Sequence, residues 1–138
     1  MLKLAGYIWN SPNTVLGLML GLLNPARPHR VDGTFEFYLA RGIVRSVCKT
    51  LGISGITIGD CILYMVAPDK NIRVHERRHV AQFRLLGPFF LPVYFALLAA
   101  YGYRDHPLER DARRHEALVC GCLYPSRLLQ GNSADSGE

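Results

Sequence analysis

The chain has little cysteine and little lysine, with 4 Cys and only 3 Lys beside 13 Arg in 138 residues. Four cysteines are too few for a disulfide scaffold, and the one-residue spacer of Cys120-Gly121-Cys122 differs from the two-residue spacer of a zinc ribbon or redox pair. We therefore expect Cys48, Cys61, Cys120 and Cys122 to be buried, reduced thiols. The length is that of a single domain that can bury a core without disulfides.

The N-terminal region lacks the features of a cleaved signal peptide. Its apolar run is interrupted by Ser11-Pro12-Asn13, and no small-x-small cleavage site follows. Residues 15–23 are also too few to span a bilayer, which takes around 20 residues. We expect a short helix here, with Ser11 or Asn13 as its N-cap and Asn24-Pro25 as its stop. The expected location is the cytoplasm or a membrane surface.

The basic charge is local, because eight of the 13 arginines fall between Arg73 and Arg114. A net charge of +5 can attract anionic lipid, nucleic acid or an acidic peptide. No RNA- or DNA-binding motif accompanies these arginines. We expect a solvated helix face and no nucleic-acid partner.

Residues 31–66 alternate with a period close to two, which predicts strands. In "TFEFYLA" (34–40), Phe35, Phe37 and Leu39 fall on one face, with Glu36 and Tyr38 on the other.

Two further strands are predicted in the same region. "GIVRSVC" (42–48) follows Arg41-Gly42, a short connection suited to a hairpin. "GITIGDCILYMV" (55–66) predicts a third strand, with Gly59 at a bulge or close approach and Asp60 exposed at an edge.

From Ile72 to about Leu129 the pattern is helical, with Asp69 or Asn71 able to cap the first helix. Gly87-Pro88 and the loop "YGYRDHP" (101–107) divide the region into three helices. The sequence thus predicts an α+β fold with a short N-terminal helix, a small mostly antiparallel sheet and three helices in one domain, residues 1–129. The polar tail 130–138 is expected to be disordered.

His75-Glu76-Arg77-Arg78-His79 is the motif that carries chemistry, because residues i and i+4 share one face of a helix. His75 and His79 can therefore bind one metal ion. Glu76 points about 100° away and can reach a water bound to that metal. Zinc with three protein ligands keeps a position for water and lowers its pKa to about 7, and a carboxylate then takes the proton.

A third ligand is required, and the metzincin spacing does not supply it, because Gln82 and Leu85 occupy the expected glycine and histidine positions. After a reversal at Gly87-Pro88, residues 89–102 return the chain to the level of the histidines. Glu109 then lies in the first turn of the next helix, where an acid also suits the helix dipole. We favour Glu109 as ligand. The alternative ligands are Glu116, Asp111, His106 and His115.

Residues 85–103 contain no charge and match a transmembrane span in length. A crossing would carry Glu109 about 28 Å from His79, so the metal site would lose its third ligand. Pro92 and Gly102 also weaken an isolated span. We expect a buried core helix, with a transmembrane span or peripheral contact to a membrane as the alternatives.

The order of strands, His-Glu-x-x-His helix, return helix and glutamate-bearing helix resembles a minimal gluzincin-type zincin. "TVLGL", "GITIGD", "HERRHVAQFRLLGPFFLPVYF" and "YRDHPLERDA" resemble a group of small bacterial proteins of unknown function that carry a His-Glu-x-x-His-x-x-Gln motif. The similarity covers most of residues 14–112. It implies a zincin-like domain that binds Zn²⁺ through His75, His79 and Glu109, with Glu76 as the base.

Two departures weaken the expectation of turnover. Arginines stand between Glu76 and His79, where zincins usually have uncharged residues. Arg113 occupies the position at which gluzincins often place an aspartate that orients the first histidine, although Asp111 can substitute.

The expected function is a zinc-dependent metallohydrolase, a peptidase whose peptide or protein substrate lies against the strand "GITIGDCILYM". One alternative is a non-catalytic, metal-stabilised or membrane-associated interaction protein. Another is a basic binding module in which the His-Glu-x-x-His motif is coincidental.

Overall fold

The computed structural model describes residues 2–39 and 41–121, and it confirms the α+β class. The elements are α1 (Leu2–Leu22), β1 (Pro28–Val31), β2 (Thr34–Tyr38), α2 (Ile43–Thr50), β3 (Gly55–Ile58), β4 (Cys61–Tyr64), α3 (Lys70–Leu86), a 3₁₀ turn (Gly87–Phe89), α4 (Phe90–Tyr101) and α5 (Pro107–Cys120). The predictions for Cys122, for the end of the last helix near Leu129 and for a disordered tail at 130–138 lie outside the described residues.

The four strands form one mixed sheet in the order β1-β2-β4-β3. The β1–β2 and β3–β4 pairs are antiparallel, as expected for most of the sheet, whereas β2 and β4 run parallel. A parallel pair needs a crossover connection. The chain between β2 and β4, which contains α2 and β3, provides this connection, and β3 is an edge strand of the sheet.

Helices cover both faces of the sheet. Phe37, Leu39 and Leu63 are buried on the face that meets residues of α1 and α2. Ile62 and Tyr64 are buried on the other face, against α3. The predicted alternation along β2 is therefore confirmed.

Glu36 lies on the α3 face of β2 and is also fully buried. Its carboxylate is paired with Arg73 at 2.8 Å. This pairing reflects the general requirement that a buried charge have a partner of opposite sign.

Residues 43–48 of this segment belong to helix α2, so the predicted strand and the predicted hairpin at Arg41-Gly42 are both wrong. Val44 and Cys48, four residues apart, face the core, whereas Ser46 and Lys49 are exposed. This spacing fits a helix, and the β-branched residues that suggested a strand were misleading because tertiary packing overrides local propensity.

The single strand predicted over 55–66 is a hairpin, β3 and β4, joined at Gly59-Asp60. Gly59 has φ +66°, and a Cβ there would lie 2.4 Å from the backbone nitrogen of Thr14 in α1. The close approach predicted at Gly59 is confirmed. Asp60 is 2% exposed and pairs with Arg84 at 2.6 Å, so the prediction of an exposed acid is wrong.

A second hairpin, between β1 and β2, was missed. It turns at Asp32-Gly33, where both residues have positive φ. Asp-Gly is a strong hairpin signal, and Pro28 suits the start of an edge strand. The sequence therefore contained the information needed to predict this hairpin.

Helix α1 begins at Leu2, far before the predicted caps Ser11 and Asn13, and continues through Pro12. A proline leaves the carbonyl of residue i−4 without its helical donor. The Ser11 hydroxyl donates to that carbonyl, on Ile8, at 2.7 Å. The helix ends at Leu22, just before the predicted stop at Asn24-Pro25.

Helix α3 begins as predicted after Asp69, whose side chain accepts from the Ile72 amide at 2.8 Å. The predicted break at Gly87-Pro88 is the 3₁₀ turn. Arginines of α3 reach solvent and also pair with acids of neighbouring elements: Arg77, with its side chain 36% exposed, lies 2.8 Å from Asp32 in the β1–β2 turn.

The expectation that α4 is a buried core helix is wrong, because Phe90 is its one buried residue. Within the described residues, the stretch Lys70–Tyr101 is long and apolar enough to cross a membrane by length and composition, and 17% of its most apolar window is buried. The 3₁₀ turn divides this stretch into α3 and α4. The next helix, α5, then packs against α3, where Glu109 contacts the histidines.

Burial of the cysteines agrees with prediction for Cys48 and Cys61. Burial raises the pKa of Cys61 to about 12, with the charge of Asp60 as a second cause. Cys120 is only half-buried.

Gly59→Ala should lower the free energy of unfolding by about 2–4 kcal/mol, because it combines a left-handed conformation with a clash against α1. Urea denaturation followed by circular dichroism measures the change. Gly52→Ala is the matched control, since Gly52 has φ +69° and a methyl group there would meet no atom within 4 Å. It should cost about 1–2 kcal/mol. Equal losses in the two variants would contradict the tight contact between α1 and the β3–β4 turn.

Candidate metal centre

The two histidines of the motif face each other on α3. Their Nε2 atoms are 3.2 Å apart. Nitrogen ligands about 2.0–2.1 Å from a tetrahedral zinc would be separated by roughly 3.3–3.4 Å. The pair therefore has the spacing of two ligands of one ion.

Glu109 comes from α5 and reaches both histidines. Its Oε2 lies 3.4 Å from His75 Nε2, and its Oε1 lies 3.4 Å from His79 Nε2. Pro107 begins α5, and His106 caps it by accepting from the Leu108 amide. The predicted first-turn position of Glu109 is thus confirmed, and its carboxylate is 5% exposed.

One atom from each of His75, His79 and Glu109 can be chosen so that all three lie within 4.8 Å of one another. Among the described residues, Glu109 Oε2 is one of a few buried side-chain polar atoms without a hydrogen-bond partner. A buried carboxylate oxygen without a donor costs free energy unless a cation compensates it. A metal ion at the centre of these residues would supply that compensation.

Electrostatics at the site favour an anionic glutamate. Burial alone would raise the pKa of Glu109, but contacts with His75, His79 and Tyr94 hold it far below its usual range. Burial likewise opposes protonation of His75, yet Glu109 and Glu76 raise the pKa of that imidazole. The acidic groups thus stabilise positive charge at His75, in the place where a cation would bind.

A second layer of side chains orients the imidazoles. His79 Nδ1 lies 2.9 Å from Gln82 Oε1, and His75 Nδ1 lies 3.2 Å from Glu116 Oε2. Both acceptors favour the tautomer with the proton on Nδ1, which leaves the Nε2 lone pair for a metal.

Tyr94, on α4, donates its hydroxyl to Glu109 Oε1 at 2.8 Å. The backbone carbonyl of Tyr94 also accepts from His106 Nε2 at 2.9 Å. These two contacts fix α4 to the start of α5.

Glu76 is 6% exposed and points toward the edge strand β3. Its Oε2 accepts from the Thr57 hydroxyl at 2.7 Å. A Cβ on Gly55 would lie 2.8 Å from Glu76 Oε1, so glycine leaves room for the carboxylate. Burial raises the pKa of Glu76 above its usual range, although His79 and Thr57 oppose the shift.

The alternative third ligands have other contacts. Asp111 pairs with Arg78 at 2.7 Å and accepts from Gln82 at 2.8 Å. It therefore supports His79 through Gln82 and does not orient His75 directly. Glu116 contacts the outer nitrogen of His75, His106 caps α5, and His115 faces a cavity between α3 and α5.

The sequence analysis missed the residues that hold the ligands and the base in place by hydrogen bonds. These are Thr57, Gln82 as a partner of His79, Tyr94, and Glu116 as a partner of His75. Gln82 and Glu116 carried a signal. Gln82 is three residues after His79, so it shares its helix face. Glu116 is seven residues after Glu109, two turns along α5. The sequence gives no signal for Thr57 and Tyr94, because their roles depend on how β3 and α4 pack.

Comparison with family models, with curated proteins and with solved structures finds no match to this chain.

The three proposed metal ligands are tested by measuring zinc content and zinc affinity in protein purified without a histidine tag. Wild-type protein should hold about one zinc per chain, and His79→Ala or Glu109→Ala should weaken binding by more than ~100-fold, because three ligands act together. His115→Ala is the control, a histidine on α5 outside the cluster, and should bind like wild type. Retention of a full equivalent of zinc by both His75→Ala and His79→Ala would exclude these ligands.

The supporting side chains should have smaller effects. Gln82→Met and Glu116→Leu should each weaken zinc affinity by about 10–100-fold, because an imidazole loses the acceptor that fixes its tautomer. Glu116→Gln keeps an acceptor oxygen and should remain within a few-fold of wild type by isothermal titration. Wild-type affinity in both Gln82→Met and Glu116→Leu would show that these contacts do not tune the site.

Proposed function

We propose that the protein is a zinc-dependent metallohydrolase, and specifically a peptidase. The observation that carries the proposal is the convergence of His75, His79 and the buried carboxylate of Glu109, whose Oε2 has no hydrogen-bond partner. Two imidazoles and one glutamate are a ligand set of catalytic zinc sites, which keep one position free. A structural zinc site would instead be closed by four protein ligands.

Zinc held there would supply a Lewis acid that polarises a peptide carbonyl and makes water a better nucleophile. The protein's own contribution is to place a proton acceptor beside that water. Glu76 follows the first ligand and lies close to the cluster, and Thr57 holds its carboxylate on the side of β3. Glu76 takes the proton from the attacking water and returns it to the leaving amine.

The edge strand supports a peptide substrate. β3 pairs with β4 along one side only, so its other side can pair with an extended chain. Gly55 and Thr57, which contact Glu76, belong to this strand. An extended peptide added beside β3 would therefore lie along the carboxylate that handles the proton.

Glu76→Gln tests the proposal, since an amide cannot accept the proton. Hydrolysis of casein or of a mixed fluorogenic peptide library should fall by at least ~100-fold while zinc content stays at the wild-type level. Asp105→Asn is the control, because it makes the same change at an exposed position of the α4–α5 loop.

The outcomes separate the functions. Wild-type turnover in Glu76→Gln would exclude general-base catalysis by Glu76. A wild-type protein that holds zinc tightly and cleaves none of the peptides would favour the non-catalytic, metal-stabilised alternative.

A further inference from the structure

Helix α1 exposes apolar side chains to solvent and buries polar ones. Residues 4–26 contain no charged side chain, and Leu4, Ile8, Val15, Met19 and Leu22 are each more than half exposed. At about 100° per residue, these five lie within an arc of roughly 60°, which makes a continuous apolar stripe. A helix on the surface of a water-soluble domain shows the opposite pattern, with its charged face outward.

The buried face of α1 is polar from Asn10 to Thr14, whereas Leu18 and Leu20 farther along pack on the hydrophobic core. Asn10 is fully buried and donates to Asp60 at 3.3 Å. Asn13 is 6% exposed and donates to the Gly87 carbonyl at 2.7 Å, and Thr14 contacts Asp60 at 3.1 Å. These bonds fix the rotation of α1, so the helix cannot turn its apolar stripe inward without breaking them.

Helix α4 continues the apolar surface. Trp9 of α1 packs against Phe89 beside α4, with ring centroids 6.1 Å apart, and both rings are also exposed, at 45% and 61%. On α4 itself, Phe95 is 60% exposed. Two uncharged helical segments thus meet at their exposed aromatic residues.

Basic residues and tyrosines lie at the ends of this apolar surface. Lys3 and Arg27 flank the uncharged run of α1 in sequence. Tyr101 and Tyr103 are exposed where α4 ends, and Arg104 follows. Tyrosine and arginine at the end of an apolar helix are typical of the boundary between lipid tails and headgroups.

We propose that the outward face of α1, together with α4, is a membrane-docking surface that inserts into one leaflet of a bilayer containing anionic phospholipid. The net charge of +5 and the flanking bases complement such lipid. A protein partner fits less well. Protein interfaces carry about one hydrogen bond per 100–200 Å², whereas Ser11 is the one exposed polar residue of α1 between residues 4 and 22.

The geometry favours a helix that lies in the leaflet over one that crosses the bilayer. α1 is ~32 Å long, but its inner face is bound along the β3–β4 turn and the 3₁₀ turn through Asp60 and Gly87. Only its outer half is available to lipid. This arrangement is that of an interfacial helix, and it does not depend on zinc.

The single tryptophan of the chain, Trp9, reports on this surface directly. Full-length protein is mixed with phosphatidylcholine vesicles, with and without phosphatidylglycerol, and separated by flotation. The protein should float with the vesicles, more so with phosphatidylglycerol, and Trp9 fluorescence should shift to the blue and be quenched by brominated lipid.

A matched pair of variants locates the surface. Ile8→Glu with Met19→Glu should reduce vesicle partition by ~10-fold or more, because two charges enter the apolar stripe. Leu118→Glu with Val119→Glu, at positions 64% and 47% exposed on α5, adds the same charge elsewhere and should leave partition unchanged.

Three results would overturn the proposal. One is wild-type protein that stays out of the floating fraction with Trp9 unquenched by brominated lipid. Another is equal partition of the two double variants. The third is a stable dimer in lipid-free buffer, seen by light scattering, that shields Trp9 from acrylamide and does not float, which would mean that a second copy covers this face.

Discussion

Glu109 carries a carboxylate into the interior, and a carboxylate that is 5% exposed must find compensating charge or hydrogen bonds. It receives one hydrogen bond from Tyr94 and lies 3.4 Å from each of two imidazoles. The geometry of three helices follows from this requirement. α3 must present His75 and His79, α4 must present a hydroxyl, and α5 must begin at the level of the histidines.

The parts of this arrangement that could be predicted are local. Four-residue spacing on a helix brings His75 and His79 together whatever surrounds them. The position of Glu109 followed from two helices of similar length separated by Gly87-Pro88, because a reversal of the chain returns it to its starting level. Helix ends with strong caps, such as Asp69, were also predictable.

The parts that could not be predicted depend on tertiary contacts. The crossover α2 was mistaken for a strand because its β-branched residues outweighed the four-residue spacing of Val44 and Cys48. The β1–β2 hairpin was overlooked despite Asp32-Gly33. The exposure of α4 was unpredictable, since an uncharged helix has the same composition in a protein core and in a lipid environment.

The exposure of α4 has a physical cause in the site itself. Tyr94 and Phe95 are consecutive, so their side chains point about 100° apart around the helix. The Tyr94 hydroxyl is held by Glu109, and the Tyr94 carbonyl is held by His106. Rotation of α4 to bury Phe95 would withdraw that hydroxyl and leave the Glu109 carboxylate without its donor. The same contacts that complete the cluster therefore keep the apolar side of α4 on the surface, beside the stripe that Asn10 and Asn13 keep outward on α1.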